Sequence, residues 1–470
     1  MKNKRNVGLI FCLPFLSLVS TSCFARENGE KIDETKTTIY VGNIEGGIGE
    51  EWLQRAKSKF EDKYKDVEIV DDNGKTKKGV QILITSNKNV AGNNIGTALN
   101  TLPYEVYFTE LVYYNSLVSN NDLVDLTSMV EQPLTEYGET RSIKDKMFDE
   151  YKNFLTVNNK IYAIPHYDSS YALYYDTEMF NFYGFYLKGD GSEKQYALKN
   201  GSSYEFTNSE GQLSSGPNGV VGDYDDGLPA TYEQFYALCD KMQSKRVTPF
   251  SYSGSYSFYL TRFLQTLASN EMGEEAPLFF NFNGSTKNYV ESFDANGKPV
   301  LKDEVITEET GYKAFHLAGK YYALDFISNL VKNNWINTRS FSTYSHLDAQ
   351  QDFIKGSYKS NYTQSVDKFG ILCEGTWWSN ESKNFYNEMA EDKYGNGALE
   401  SNRKISIMPL PHYSEKDIGK KTTLLCDANL SLSFISASIP QYKLDIAKKF
   451  LQFCNTDESL SEFTSLTNSE

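Results

Sequence analysis

Two adjacent tryptophans, Trp377 and Trp378, are the side chains whose type and spacing point most directly to chemistry. They come just after Gly375, at the end of a predicted strand, and Glu374 precedes them. An aromatic ring can stack on the C–H face of a small molecule, and a carboxylate accepts hydrogen bonds from hydroxyl groups. Both rings are candidate ligand contacts, but we predict that Trp377 is the stacking platform and that Trp378 packs into the core. Glu374 is either an acceptor for the same ligand or a cap for the next helix.

A glycine-rich turn, N-I-E-G-G-I-G at 43–49, is the second candidate site. Glycines let the backbone approach a ligand closely, and the helix that follows begins with free N–H donors. Asn43, Glu45 and Gly46 are therefore candidate ligand contacts. An ordinary turn between a strand and a helix is the alternative, and it explains Asn43 equally well.

Polar residues also follow two later extended segments. Thr109 and Glu110 end an apolar strand, and Tyr167 and Asp168 lie between two short extended segments. Ligands of open α/β sheets bind at the carboxyl ends of the strands. We therefore add Thr109 and Glu110 to the candidate contacts.

The elements that would hold these residues alternate between strands and helices. Apolar runs at 38–42, 81–85 and 105–109 predict strands, and apolar residues at every fourth position predict a helix at about 50–64. Continuously apolar strands separated by helices are typical of a parallel sheet covered on both faces. The sequence therefore predicts an α/β fold.

The second half of the chain continues this alternation after a segment rich in Gly, Ser, Asn and Asp at 186–227, which we predict to be an exposed insertion. A capping box begins a predicted helix at 231–244, and D-A-N-G at 294–297 predicts the turn of a β-hairpin. The remaining predictions are helices at 312–333, 346–356 and 441–454 and strands at 369–373 and 405–409.

The composition is that of an ordered and acidic chain. Its 470 residues carry 47 Lys and Arg against 62 Asp and Glu, a net charge of −15, and 14% of them are aromatic. A nucleic-acid partner is disfavoured because phosphate binding needs a basic patch. The aromatic content argues against disorder. Binding of a small molecule is compatible with both properties.

Residues 1–22 have the pattern of a signal peptide. Basic residues precede an apolar stretch at 7–19 that is too short to span a bilayer. The small residue before Cys23 resembles a bacterial lipoprotein signal, which implies that Cys23 is lipidated and that 23–36 is a lipid-anchored tether. The expected location is the outer face of the bacterial cytoplasmic membrane. Ordinary secretion after cleavage at Ala25 is the alternative.

Signatures of catalysis and metal binding are absent from the sequence. The four histidines do not form H-E-x-x-H, and neither G-x-S-x-G nor G-x-x-x-x-G-K-[ST] occurs. The run D-Y-D-D-G at 223–227 suggests calcium but lacks the downstream glutamate of an EF-hand, so we predict a solvated turn. We predict no catalytic residue, metal, cofactor or disulfide. A glycosidase, which needs two carboxylates across a sugar, and a surface adhesin remain alternatives.

Seven stretches of the chain together resemble a known family: 38–60, 105–110, 121–130, 161–180, 229–252, 371–381 and 447–463. They include W-L-Q-R-A-K-S-K-F-E after the glycine turn, I-Y-A-I-P-H-Y-D-S-S-Y and E-G-T-W-W-S-N-E. In this order they resemble the extracellular solute-binding proteins of family 1, the maltose-binding-like receptors of bacterial ABC sugar importers. The insertion at 186–227 is a departure from that pattern. So is the end at Glu470, where the family usually continues with further helices: either the C-terminus is truncated or lobe two is finished differently here.

The resemblance implies a two-lobe, periplasmic-binding-protein-like (Venus-flytrap) fold with a hinge of crossing strands. Lobe one is expected at 37–165 plus 404–455, and lobe two at 170–403 plus 456–470. The family places Asn43 and Glu45 against sugar hydroxyls, and it places Tyr167 and Asp168 at the crossing where both lobes meet. Tyr167 and Asp168 are therefore candidate contacts as well, with a hinge hydrogen bond as the alternative role of Asp168. The implied protein is not an enzyme but a monomeric receptor that binds a sugar or oligosaccharide and delivers it to the permease subunits of an ABC transporter.

Overall fold

The computed structural model describes residues 30–426, 431–467 and 469. The predicted signal peptide and Cys23 lie outside these residues. No helix in the described ranges has both the length and the apolar character needed to cross a membrane.

The strands, in chain order, are β1 (Thr37–Asn43), β2 (Glu68–Val70), β3 (Thr76–Lys78), β4 (Val80–Ser86), β5 (Val106–Glu110), β6 (Thr156–Val157), β7 (Lys160–Ile161), β8 (Ile164–Pro165), β9 (Tyr171–Asp176), β10 (Tyr186–Leu187), β11 (Lys199–Asn200), β12 (Ser203–Tyr204), β13 (Phe206–Thr207), β14 (Thr248–Ser251), β15 (Gly284–Phe293), β16 (Pro299–Ile306), β17 (Phe369–Gly375), β18 (Ile405–Met408) and β19 (Ser431–Ile435).

The α-helices are α1 (Glu51–Lys63), α2 (Ile95–Thr101), α3 (Tyr114–Ser119), α4 (Thr127–Glu131), α5 (Ile143–Lys146), α6 (Asp149–Leu155), α7 (Thr177–Tyr183), α8 (Tyr232–Ser244), α9 (Ser257–Met272), α10 (Leu278–Asn281), α11 (Ala318–Lys332), α12 (His346–Gly356), α13 (Trp378–Glu381), α14 (Lys383–Met389), α15 (Gln441–Cys454) and α16 (Asp457–Thr467).

Lobe one is built on a five-stranded sheet in the order β4–β1–β5–β19–β8. The first three strands are parallel, as the sequence predicts, and β19 runs antiparallel to both of its neighbours. The predicted apolar stripe of α1 packs on this sheet, and Phe60 of that stripe contacts Phe450 of α15 edge to face, with 5.1 Å between ring centroids. One continuous apolar core therefore joins the first half of the chain to its C-terminal part.

Lobe two is built on a four-stranded sheet in the order β14–β17–β9–β18. Alternate residues of β9 belong to two different apolar clusters on opposite faces of the sheet. Leu173 belongs to the cluster that contains Phe263 and Phe326, and Tyr174 belongs to the cluster that contains Phe353. A strand buried on both faces has no solvent side. This burial explains why the central strands β9 and β17 are almost continuously apolar in sequence.

The chain leaves lobe one between Pro165 and Tyr171 and returns between Met408 and Ser431. This return comes later than predicted, since 404–423 pack on lobe two rather than on lobe one. The reason is that β18 pairs with the edge of β9, next to an ion pair between Arg403 and Asp176 whose side chains are each 1% exposed.

The C-terminal helix α16 also differs from the prediction, because it lies on lobe one rather than on lobe two. Its Phe463 contacts Trp52 of α1 at 5.2 Å between ring centroids, and Lys59 of α1 forms an ion pair of 2.9 Å with Glu462. The apolar face of α16 therefore completes the cover of the first sheet, and the chain does not cross to lobe two again within the described residues.

Two other segments of lobe two differ in detail from the predictions. The segment at 186–227 has exposed turns, but it also buries Leu187 completely and forms two small antiparallel sheets, β10–β13 and β11–β12. Helix α9 was not predicted from the sequence, although its Phe263 lies in the centre of the lobe. The hairpin turn at 294–297 was predicted correctly, and Gly297 donates its backbone N–H to Asp294 at 3.0 Å.

Candidate ligand-binding cleft

A cleft of about 660 Å³ lies between the two lobes. Lobe one lines it largely with loops that follow β1 and β5, and lobe two with loops and helix starts that follow β14 and β17. Each lobe thus presents the carboxyl ends of its parallel strands to the other, which is where ligands of open α/β sheets bind. The tertiary structure brings together loops that are more than 300 residues apart in the chain.

The two walls of the cleft differ in chemistry. The lobe-one wall is largely polar and glycine-rich, whereas the lobe-two wall is rich in aromatic rings. Lobe one contributes Glu45, Gly46, Gly47, Gly49, Lys88, Glu110, Leu111 and Tyr167. Lobe two contributes Tyr171, Tyr256, Phe258, Tyr259, Arg262, Thr266, His346, Leu347, Trp377, Asn380 and Glu381, and the crossings add Ser169 and Leu425.

Trp377 joins the two walls. A Cβ on Gly47 would lie 2.8 Å from Cγ of this indole, and a Cβ on Gly375 would overlap its six-membered ring. The ring therefore fills a space that exists only because both positions are glycine. Beside it, Nδ2 of Asn380 donates a hydrogen bond of 2.8 Å to the carbonyl oxygen of Gly47. The lobes touch at this point of the cleft.

Glu110 and Tyr167 form a hydrogen-bonded pair at the lobe-one side of the cleft. The Tyr167 hydroxyl donates to Oε1 of Glu110. Burial raises the pKa of the Glu110 carboxyl, and the hydrogen bond from Tyr167 opposes that rise. Burial next to Glu110 likewise raises the pKa of Tyr167 well above its usual value, so the phenol stays a donor.

A chain of polar side chains supports the lobe-two wall. Nε2 of His346 lies 3.2 Å from Oε1 of Glu381, and Nε2 of Gln350 donates to Oε2 of Glu381 at 2.7 Å and to Oε1 of Glu374 at 3.0 Å. Nδ1 of His346 is buried and has no hydrogen-bond partner among the described residues.

Five of the ten predicted contacts line the cleft: Glu45, Gly46, Glu110, Tyr167 and Trp377. The other five lie elsewhere. Asn43 is buried and donates to Ser86 Oγ at 3.1 Å, and Thr109 is buried and donates to the Val90 carbonyl. Both side chains are held inside lobe one, where a strand end needs partners for its polar groups.

The remaining three predicted residues lie in or near lobe two, away from the cleft. Glu374 is fully buried, and burial raises the pKa of its carboxyl well above the usual range. Trp378 is 2% exposed and packs edge to face on Tyr174 at 5.3 Å. Asp168 lines a separate cavity of about 650 Å³ on the other side of Leu425 and accepts the backbone N–H of Ser169 at 2.7 Å.

Several cleft residues were missed by the sequence analysis. Tyr256, Phe258 and Tyr259 stand at the start of α9, shortly after β14 ends, and the rings of the last two stack at 4.6 Å. Aromatic residues that follow a strand end are the same signal that selected Trp377, so this run could have been found. His346 begins α12 far from any strand end, and no sequence signal identifies it.

The close packing of Trp377 on Gly47 predicts the effect of adding one methyl group there. In Gly47→Ala the new Cβ forces the indole away, which we expect to cost about 1–3 kcal/mol and to open the contact between the lobes. Small-angle scattering of the ligand-free protein should then give a larger radius of gyration. Gly46→Ala is the matched control, because its Cβ would meet only Ile44 Cγ1 at 4.0 Å. Equal radii for the two variants would contradict a lobe contact at Gly47.

Comparison with known proteins identifies the fold. A scan against models of protein families gives no match, and a search of the curated proteins gives none. Solved structures do match: the solute-binding protein RafE in complex with raffinose has a TM-score of 0.51 at 16% identity, with 92% of this chain and 82% of that one covered. Maltose-bound MalE3 of T. maritima has a TM-score of 0.51 at 14% identity, with 92% and 81% covered.

A chitin oligosaccharide binding protein matches with a TM-score of 0.55 at 13% identity, and 92% of this chain and 80% of that one are covered. All three similar structures are sugar-binding proteins with two lobes. The resemblance predicted from the sequence is thus confirmed at the level of the fold. The chain has the two-lobe α/β architecture of these sugar-binding proteins.

Proposed function

We propose that this protein is an extracellular receptor that captures a sugar or oligosaccharide between its lobes and delivers it to the permease of an ABC transporter. The observation that carries the proposal is the cleft itself, in which aromatic rings on one wall face hydrogen-bonding groups on the other. Sugars present C–H faces and hydroxyl groups side by side, so they need both kinds of surface. The proposal that the sugar is delivered to a permease is supported by the fold, which is shared with receptors of importers. It is not supported by any particular residue of this chain.

The polar groups of the cleft suit a neutral ligand that is rich in hydroxyls. Glu45, Glu110 and Glu381 are hydrogen-bond acceptors, while Lys88 and Arg262 supply cationic donors. An anionic ligand would be repelled by the glutamates, and a cationic ligand would be repelled by Lys88 and Arg262. Hydroxyl groups both donate and accept, so they can satisfy either kind of partner. The sugars in the similar structures, raffinose, maltose and a chitin oligosaccharide, are of this class.

A thermal-shift screen tests the proposal. The panel contains malto-, raffinose-type and chitin oligosaccharides, with amino acids and peptides as the comparison class. A ligand at a hundredfold excess over its Kd stabilises the folded protein by about 2.7 kcal/mol, so the correct sugar raises the melting temperature. Mass spectrometry of the recovered sugar then distinguishes a receptor, which returns it unaltered, from a glycosidase. Stabilisation by the comparison class alone, or cleavage of the sugar, would contradict the proposal.

The two adjacent tryptophans give a matched pair of variants. Trp377 is half-buried in the cleft, so we expect Trp377→Ala to weaken sugar binding by about 2–4 kcal/mol, roughly thirtyfold to a thousandfold, with a smaller loss of stability. Trp378 lies in the core, so Trp378→Ala should cost about 3–5 kcal/mol of folding free energy and leave the affinity of the folded fraction nearly unchanged.

Isothermal titration with the sugar found in the screen and urea unfolding of the ligand-free variants measure the two effects. If Trp377→Ala binds normally while Trp378→Ala loses affinity, then the roles of the two rings are reversed.

We further infer that the receptor is held on the outer face of the cytoplasmic membrane by a lipid on Cys23. The support is the sequence pattern before Cys23, followed by the polar stretch that leads to β1. After expression in a bacterial host, the protein should sediment with membranes, and Cys23→Ser should release it or leave its signal peptide uncleaved. Identical sedimentation of both forms, with a mature N-terminus at Arg26, would instead indicate ordinary secretion.

A further inference from the structure

An acidic loop of lobe two, Gly216–Gly227, gathers carboxylates at a site that the sugar cleft does not use. Asp223, Asp225 and Asp226 each offer one oxygen, and these three oxygens lie within 4.8 Å of one another. The first of these residues is exposed, the second is buried and the third is half-buried. The cluster therefore extends from the surface to a buried position.

Asp225 makes this cluster different from an ordinary acidic turn. It is 0% exposed, and its Oδ1 has no hydrogen-bond partner among the described residues, while its Oδ2 accepts the backbone N–H of Asn218 at 3.0 Å. Oδ1 of Asp226 is likewise buried and unpartnered. A buried acceptor without a donor costs free energy unless another group satisfies it. Each of these two oxygens is therefore an unsatisfied acceptor on a member of the acidic cluster.

The charge of the loop is also uncompensated within the described part of the chain. No Lys or Arg there forms an ion pair with any of the three carboxylates, and the nearest donors are the neutral amides of Asn218 and Gly222. An ionised carboxylate in this position is costly unless a positive charge offsets it.

We propose that the loop Gly216–Gly227 binds one hard divalent cation, Ca²⁺, through Asp223, Asp225 and Asp226. Calcium takes six to eight oxygen ligands in flexible geometry, and water completes its shell where a side is open. Magnesium demands near-ideal octahedral geometry and a smaller cage. An irregular loop with glycines in left-handed conformations suits the former ion better. The sequence favours a solvated turn here, and it is the burial of Asp225 that changes the interpretation.

The loop also holds parts of lobe two together. The carbonyl oxygen of Gly227 accepts the backbone N–H of Leu187 at 2.8 Å, and that of Pro217 accepts the N–H of Gly419 at 2.9 Å. Gly419 belongs to the segment that returns from lobe two to lobe one. An ion in the loop would therefore fix both the insertion and the start of the return segment, and its removal should lower the stability of lobe two.

Calcium binding is measured on the full chain after treatment with EDTA. We expect isothermal titration with CaCl₂ to give one site per chain. At a hundredfold excess over Kd, calcium should stabilise the folded protein by about 2.7 kcal/mol. In a chain of this size that stabilisation raises the melting temperature by about 3 °C, because the entropy of unfolding grows with chain length. MgCl₂ at the same concentration should give a smaller rise. Asp223→Asn and Asp225→Asn should each lower the calcium affinity at least tenfold.

Glu210→Gln is the matched control, an acid-to-amide change at an exposed position of the same insertion, and it should bind calcium like the wild type. Asp225 is buried, so Asp225→Asn could impair folding. Asp223 is exposed, and Asp223→Asn therefore tests the site without changing a buried residue. Three outcomes would overturn the proposal: no heat of binding and no thermal shift, a shift that survives in both aspartate variants, or a larger shift with magnesium than with calcium.

Discussion

The geometry of the cleft depends on one close contact, in which the Trp377 indole fills the space between two glycines. Gly375 belongs to the same lobe as the ring, whereas Gly47 belongs to the opposite lobe, and a Cβ at either position would overlap the indole. The distance between the lobes at this point is therefore fixed by the thickness of an aromatic ring against bare backbone. The hydrogen bond from Asn380 to the Gly47 carbonyl stabilises the same contact between the lobes.

The cleft walls are positioned by buried polar partners on one side and by apolar packing on the other. In lobe two, Gln350 ties Glu374 to Glu381, and Glu381 in turn holds His346 at the surface of the cleft. The buried carboxyl group of Glu374 is satisfied by amide donors from Gln350 and the Gly375 backbone. Side chains held in this way lose little further freedom when a ligand binds, which favours affinity.

Much of the fold could be predicted from the sequence because its signals are local. Continuous apolar runs gave β1, β4 and β5 as parallel strands, and a stripe of residues four apart gave α1. The aromatic pair after a strand end was predicted with its division of roles, and the structure places Trp377 in the cleft and Trp378 in the core. Assignments that depended on which lobe a segment packs against, such as that of α16, were wrong.

The sequence by itself determined many of the elements, the class of fold and five of the residues that line the cleft. Only the tertiary structure decided that Asn43 and Thr109 turn into lobe one, that His346 joins the cleft, and that Asp225 is buried among other carboxylates. The physical reason is that periodicity reports on one face of one element, whereas burial and side-chain partners depend on segments far apart in the chain. Those partners exist only once the two sheets have formed and packed.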